Sequence, residues 1–148
     1  MVFVREKNEG LRMENCIFCK IVKGEMPAFK VVEGPHSIAF LDIFPVSKGH
    51  VLVIPKRHVK QLLELSEEEL LEIGKIAQKI GKAVLAGLNC DGFSLVQRNG
   101  VAAGQIVPHV HFHVVPRFKG DSLSVWPSGP KAEQGELESV LLALKKFV

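Results

Sequence analysis

Residues 109 to 113 read His109-Val110-His111-Phe112-His113, so three histidines alternate with two apolar residues. In an extended chain successive side chains point to opposite faces. The pattern therefore predicts a strand over Ile106 to Val115, with three imidazoles on one face and Val110 and Phe112 on the other. Such a strand needs partners, and the rest of the chain is read for them.

The partners are legible. Val31-Val32-Glu33 and Ser37-Ile38-Ala39-Phe40-Leu41 flank a Gly34-Pro35 turn, which predicts a hairpin. Asp42 to Gly49 contains Pro45 and reads as a loop. Val51-Leu52-Val53-Ile54, ended by Pro55, reads as a buried strand. Phe93 to Gln97 is a further short strand, and Asn99 to Gly104 is a loop of small residues. Ser66 with Glu69 three residues on makes a capping box. The helix it opens carries Leu70, Ile73, Ile76, Ala77, Ile80, Val84 and Leu88 at helical spacing, and Gly87 and Asn89 suit its end. Glu136 to Phe147 predicts a last amphipathic helix. Strands that outnumber helices and come in hairpin-like pairs favour an antiparallel α+β fold over βαβ units.

With 148 residues, 47% of them apolar, the chain fits one domain with a real core, placed at residues 15 to 148. Residues 1 to 14 show no periodicity and are expected to form a flexible extension. Nineteen Lys and Arg against 16 Asp and Glu give a net charge of +3. That is too weak for wrapping a nucleic-acid polymer and suits a small anionic ligand. No apolar run is long enough for a membrane span, and the N-terminus lacks a signal peptide's apolar stretch, so the expected compartment is the cytoplasm. There Cys16 and Cys19, spaced C-x-x-C, suit a metal or redox role better than a structural disulfide.

Three chemistries fit the histidines. Alternating polar residues occur on any half-exposed strand. A metal cage of three histidines from one strand is awkward, with no acidic residue nearby to support it. Nucleophilic catalysis needs an imidazole with one nitrogen held protonated and the other free. A phosphorus electrophile suits it, because a phospho-imidazole is labile to water and a Gly-rich loop can cradle phosphate oxygens.

The segment Asn99-Gly100-x-x-Ala103-Gly104-Gln105-x-Val107-x-His109-x-His111-x-His113-x-x-Pro116-Arg117 resembles the signature of the histidine triad (HIT) superfamily. Phe40-Leu41-Asp42-Ile43, Gly49-His50 and Leu52-Val53-Ile54-Pro55-Lys56-x-His58 resemble the other half of that family's site. The opening Cys16-Ile17-Phe18-Cys19-Lys20-Ile21 with Gly24-Glu25-x-Pro27 resembles zinc-carrying prokaryotic members of the Hint-like branch.

The resemblance implies a HIT-like antiparallel sheet of about five strands with one long helix, and a homodimer with a continuous sheet. It implies a nucleotide hydrolase or transferase that cleaves nucleoside 5′-phosphoramidates through a nucleotidyl-histidine. His111 would be the nucleophile, with His113 and His50 beside the phosphate. Asn99, Gly104 and Gln105 would meet the phosphate, Asp42 the ribose, and Ile43 and Phe44 a purine base. Cys16, Cys19, His58 and His109 would hold a structural zinc. No redox or organic cofactor, nucleic-acid polymer or membrane partner is implied. Ile106 departs from the Ser or Thr often found after Gln105, whose hydroxyl can protonate the leaving group. That departure keeps two further readings open, a dinucleoside polyphosphate hydrolase and a non-catalytic nucleotide-binding dimer. Lys56 to Lys60 reads as a solvated basic loop, Arg117 as a phosphate contact or strand cap, and Trp126-Pro127 as a weak match to a C-terminal motif of some relatives. Activity through a neutral imidazole is expected to fall on the acid side near the usual His value of about 6.5.

Overall fold

The computed structural model describes residues 13–125 and 129–148. Residues 1–12 and the Trp126-Pro127 pair lie outside them. Five strands form one antiparallel sheet: β1 (Lys30–Glu33), β2 (Ser37–Leu41), β3 (Val51–Pro55), β4 (Gly92–Gln97) and β5 (Phe112–Arg117). Their spatial order is β1-β2-β3-β5-β4, so β5 lies between β3 and β4 and the outer strands are β1 and β4. Among the described residues these α-helices accompany the sheet: α1 (Ile17–Lys23), α2 (Glu67–Leu88) and α3 (Gln134–Leu144).

The sheet is covered on both faces. On one, Ala39, Val53 and Val114 pack against Ile73, Ile76 and Ile80 of α2. On the other, Ile38, Phe40, Leu52 and Ile54 meet Phe18, Cys19 and Ile21 of α1. This is why β2 and β3 read as apolar runs instead of alternating. Helix α1 was not expected. It is short, with two lysines in its last turn and Gly24 in a left-handed C-cap, and its burial comes from tertiary packing.

The predicted capping box of α2 is present, with Ser66 Oγ accepting from the Glu69 amide at 3.2 Å and Glu69 Oε2 accepting from the Ser66 amide at 2.8 Å. Asn89 closes the helix in the left-handed conformation. One core expectation fails. Leu70 is 46% exposed, while its neighbour Glu69 is buried. Glu69 turns inward because Arg57 grips both its carboxylate oxygens, at 2.9 and 2.7 Å. The Lys56 to Lys60 run is accordingly an anchored segment: Lys56 pairs with Glu33, Arg57 with Glu69, and Val59 is buried. Helix α3 has no buried residue, and Leu137, Val140 and Leu141 are exposed.

The histidine strand is shorter than predicted. β5 begins at Phe112, and residues 106–111 are irregular. Pro108 offers no N–H for a ladder. The Val110 amide donates to the Val59 carbonyl at 2.7 Å instead of to a strand neighbour. The alternation of side chains survives this break. Val110 is fully buried, Phe112 packs against the α2 core, and the histidines face the α1 side.

Candidate functional site

Four metal-ligating side chains converge where α1 meets the start of the histidine segment. The ligand atoms of Cys16, Cys19, His58 and His109 lie within 4.8 Å of one another. His109 Nδ1 is 3.5 Å from Cys16 Sγ, 3.6 Å from Cys19 Sγ and 3.3 Å from His58 Nδ1, and Cys19 Sγ is 3.2 Å from His58 Nδ1. A tetrahedral zinc with bonds of about 2.0–2.3 Å separates its ligand atoms by about 3.3–3.7 Å, so the cluster fits that ion. The tautomer fits as well. His109 Nε2 donates to the Pro55 carbonyl at 2.9 Å. Burial foremost holds this ring well below the ordinary imidazole range, at about 4, so it is neutral and Nδ1 presents a lone pair to the cluster. Burial also pushes the Cys19 thiol up to about 12, and the Cys16 side chain adds to this. Only a bound cation would make a thiolate there favourable.

Beyond that cluster lies a second line of imidazoles. His111 Nδ1 donates to the His109 carbonyl at 2.7 Å. Burial pushes His111 below its ordinary value, the Arg98 charge adds to this, and the His109 carbonyl and Asp42 pull the other way. The neutral ring therefore carries its proton on Nδ1 and keeps a lone pair on Nε2. The backbone amide of Val46 donates to His50 Nδ1 at 3.3 Å, so His50 has its proton on Nε2 and donates it to His113 Nδ1 at 2.9 Å. His113 in turn holds a proton on its own Nε2. Its ring is 4.9 Å from that of His111, and burial first, then the His111 and His50 charges, lower its value to about 4. A nucleophilic nitrogen and a hydrogen-bond donor thus stand side by side.

The fold positions each of these groups. Gly49, at φ +86°, admits the turn before His50, and a Cβ there would overlap the Leu88 side chain. His50 is 3% exposed, and its Nδ1 lies 3.6 Å from an Asp42 carboxylate oxygen. Asp42 also accepts from the Phe44 amide at 2.8 Å. Ile43 and Phe44 project beside it, 67% and 83% exposed.

Asn99 and Gln105 are drawn into the loop's own scaffold. Asn99 Oδ1 accepts from the Leu62 amide at 2.8 Å. Gln105 Oε1 accepts from the Gly100 amide at 2.8 Å, and its Nε2 donates to the Lys60 and Val107 carbonyls. Both residues brace the turn around Gly104, which adopts φ +87°. Ile106 is 91% exposed. Arg117 binds Asp121, the Ser94 hydroxyl and the Leu123 carbonyl, which makes it a structural brace. Cys90 is a buried thiol that donates to the Val84 carbonyl.

Two residues at the site carried no expectation. Phe18, inside the C-x-x-C, packs edge-on against His109 and His111, with ring centroids 5.7 and 5.3 Å apart. Arg98 follows β4 and places its guanidinium against Gly104. An aromatic between two cysteines is a signal the sequence offered for Phe18. Arg98 had none, because only the pairing of β4 with β5 brings it near the histidines.

The comparisons with known proteins agree with this geometry. The HIT domain family model matches residues 23–120. The adenosine 5′-monophosphoramidase of Schizosaccharomyces pombe is 47% identical over 118 residues, 78% of this chain and 86% of that protein. A HIT family crystal structure from Bacillus subtilis superposes with a TM-score of 0.83 at 38% identity, covering 90% of this chain and 97% of the other. A zinc-bound histidine triad family protein from Mycobacterium smegmatis superposes with a TM-score of 0.71 at 38% identity, over 90% and 97% of the two chains. Fold, sequence and the arrangement of histidines lead to one conclusion: this chain belongs to the histidine triad (HIT) family.

Proposed function

We propose that the protein is a purine nucleotide hydrolase or transferase that forms a nucleotidyl-His111 intermediate on nucleoside 5′-phosphoramidates or related nucleotidyl substrates. The observation that carries this reading is the proton arrangement of the site. His111 Nδ1–H is tied to the His109 carbonyl, which frees Nε2 for in-line attack on the α-phosphorus. His113 Nε2–H, oriented by His50, hydrogen-bonds a phosphoryl oxygen as negative charge develops. Asp42 accepts from the ribose hydroxyls, and the exposed Ile43 and Phe44 offer an apolar surface to the base. Asn99, Gly104 and Gln105 shape the turn beside the proposed phosphate site, with the Ala103, Gly104 and Gln105 amides held by the Gly100 and Val101 carbonyls. Attack forms the phosphorus–Nε2 bond and expels the leaving group. Water then cleaves that bond and releases the nucleoside monophosphate.

Cys16, Cys19, His58 and His109 would hold a structural zinc. With four protein ligands the site is closed, so the ion would supply stability and no open position for substrate. The relative named an adenosine 5′-monophosphoramidase supports the substrate class. A C-x-x-C pair serving as metal ligands suits a reducing cytoplasm.

A homodimer is part of the same reading. β4 is an outer strand of the sheet, and Phe93 and Leu95 on it are 39% and 53% exposed. Pairing β4 with its copy would cover an edge that natural proteins rarely leave open.

The test is an adenosine 5′-phosphoramidate assay with wild type and His111→Asn. Turnover by wild type alone, with AMP binding kept by both, is the expected result. Wild type that binds AMP without turnover would favour the non-catalytic reading, for which the exposed Ile106, with no proton to give, is the supporting observation.

A further inference from the structure

We infer that Arg98 binds the group leaving from the α-phosphorus and directs the enzyme toward substrates whose leaving group is a phosphate, that is, toward P–O–P bonds. The inference rests on the reading of His111 as nucleophile and asks which bond that nucleophile breaks.

Three observations place Arg98. The register of β4 against β5 pairs Val96 with His113 and Gln97 with Phe112. Strand alternation then puts Arg98, two residues on from Val96, on the face that carries His113, just past the end of the ladder. The guanidinium also lies over the Gly104 turn, with Nη1 and Cδ each 3.5 Å from where a Cβ at Gly104 would stand. Finally, among the described residues no carboxylate pairs with it, although Arg57 and Arg117 both have acidic partners. An unpaired guanidinium beside a nucleophile is a ready receptor for a phosphate, which it can grip with two parallel hydrogen bonds.

The sheet order gives Arg98 its side of the reaction. Asp42 and His50 adjoin β3, on one flank of β5, and Arg98 adjoins β4 on the other. A nucleotide with its ribose at Asp42 and its α-phosphate over His111 and His113 extends its remaining group across β5 toward Arg98. Ile106, two residues beyond Gly104, offers no proton there.

The chemistry then differs between substrates. In a P–N substrate the departing nitrogen must be protonated as its bond to phosphorus breaks. In a P–O–P substrate the bond between the α-phosphorus and the bridging oxygen breaks, and the electron pair stays on that oxygen. The departing phosphate is stable at neutral pH without taking a proton, and its added charge falls against Arg98. Water cleaves the phosphorus–His111 bond, and its proton passes to solvent. The products are a nucleoside monophosphate and a phosphate-ended fragment.

The experiment compares kcat/KM for a diadenosine polyphosphate and for adenosine 5′-phosphoramidate in wild type, Arg98→Gln and Arg98→Lys. The ratio of the two values is expected to fall by about 10- to 100-fold in Arg98→Gln, the range for losing a charged hydrogen bond, and to recover in part in Arg98→Lys. An unchanged ratio would overturn the inference. A binding measurement needs no turnover: on a His111→Asn background, Arg98→Gln should reduce affinity for ADP by more than affinity for AMP. Equal losses would again overturn it. Wild-type turnover that survives His111→Asn would refute the nucleophile itself, an outcome separate from any effect of Arg98.

Discussion

The carbonyl oxygen of His109 accepts the Nδ1 proton of His111 at 2.7 Å, so the residue that faces the cysteine cluster also fixes the tautomer of the ring proposed as nucleophile. One histidine of the triad leaves another with a free lone pair on Nε2. Replacing His111 with Asn should lower turnover of adenosine 5′-phosphoramidate by on the order of 10⁴-fold or more, as expected for loss of a covalent nucleophile. AMP affinity, measured by calorimetry, should change by less than about threefold if the nucleoside contacts lie at Asp42 as proposed.

The same relationship would tie a zinc at the Cys/His cluster to the proposed nucleophile. Elemental analysis should find about one zinc per chain. Chelation, or Cys19→Ser, should lower the melting temperature by on the order of 10 °C, because a structural site contributes several kcal/mol to folding. It should also loosen residues 109–111, which hydrogen exchange at the Val110 amide would report. A chelated protein that melts where the loaded one does would count against a structural ion.

Much of this architecture is written in local pattern, and the rest is written in pairings that pattern does not encode. Helix α2 is legible because Ser66, Glu69 and a 3.6-residue apolar period agree over 22 residues. β2 and β3 are legible as apolar runs. Helix α1 is not, because seven residues with two terminal lysines have little intrinsic tendency to fold. The early end of the histidine strand turns on the Val110 amide choosing Val59, a bond between residues 51 positions apart. The donor lines of the site were only half readable. His50, His111 and His113 stand in motifs, but the order of protons along them depends on the amide of Val46 and the carbonyl of His109. Arg98 and Glu69 look like ordinary surface charges until the fold supplies their neighbours.

Burial sets the pH dependence. His113 is held at about 4 and His50 is also lowered, in both cases by desolvation first. A histidine with a lowered value stays neutral further into acid. His111 is lowered as well, by burial first, so the acid limb of kcat/KM should lie below the 6.5 of a free imidazole. Asp42 raises His50 and His113 through its charge, so Asp42→Asn should move that limb to still lower pH, whatever it does to ribose binding. Stability follows the same sign. The unfolded chain takes up protons near 6.5 and the folded His113 only near 4, so stability complete above 6.5 should decline between those values. Melting temperatures across that window would show it.

The Glu69 carboxylate joins three parts of the scaffold that carries His58. It caps α2 through the Ser66 amide, and it binds Arg57, whose guanidinium also reaches the Glu64 carbonyl at 2.9 Å. Arg57 directly precedes His58, so this clamp sets the path of the chain into the Cys16, Cys19, His58 and His109 cluster. The side chain of Glu69 is 7% exposed against 54% for Arg57, and much of the guanidinium is therefore solvated. Glu69→Ala removes the return arm of the capping box and leaves the Ser66 amide without its partner. Urea denaturation should show a loss of about 1–3 kcal/mol. Glu69→Gln keeps an oxygen for the Ser66 amide and loses the charge, so its loss should be smaller. Equal losses in the two variants would place the stabilisation in the Arg57 ion pair instead of the cap.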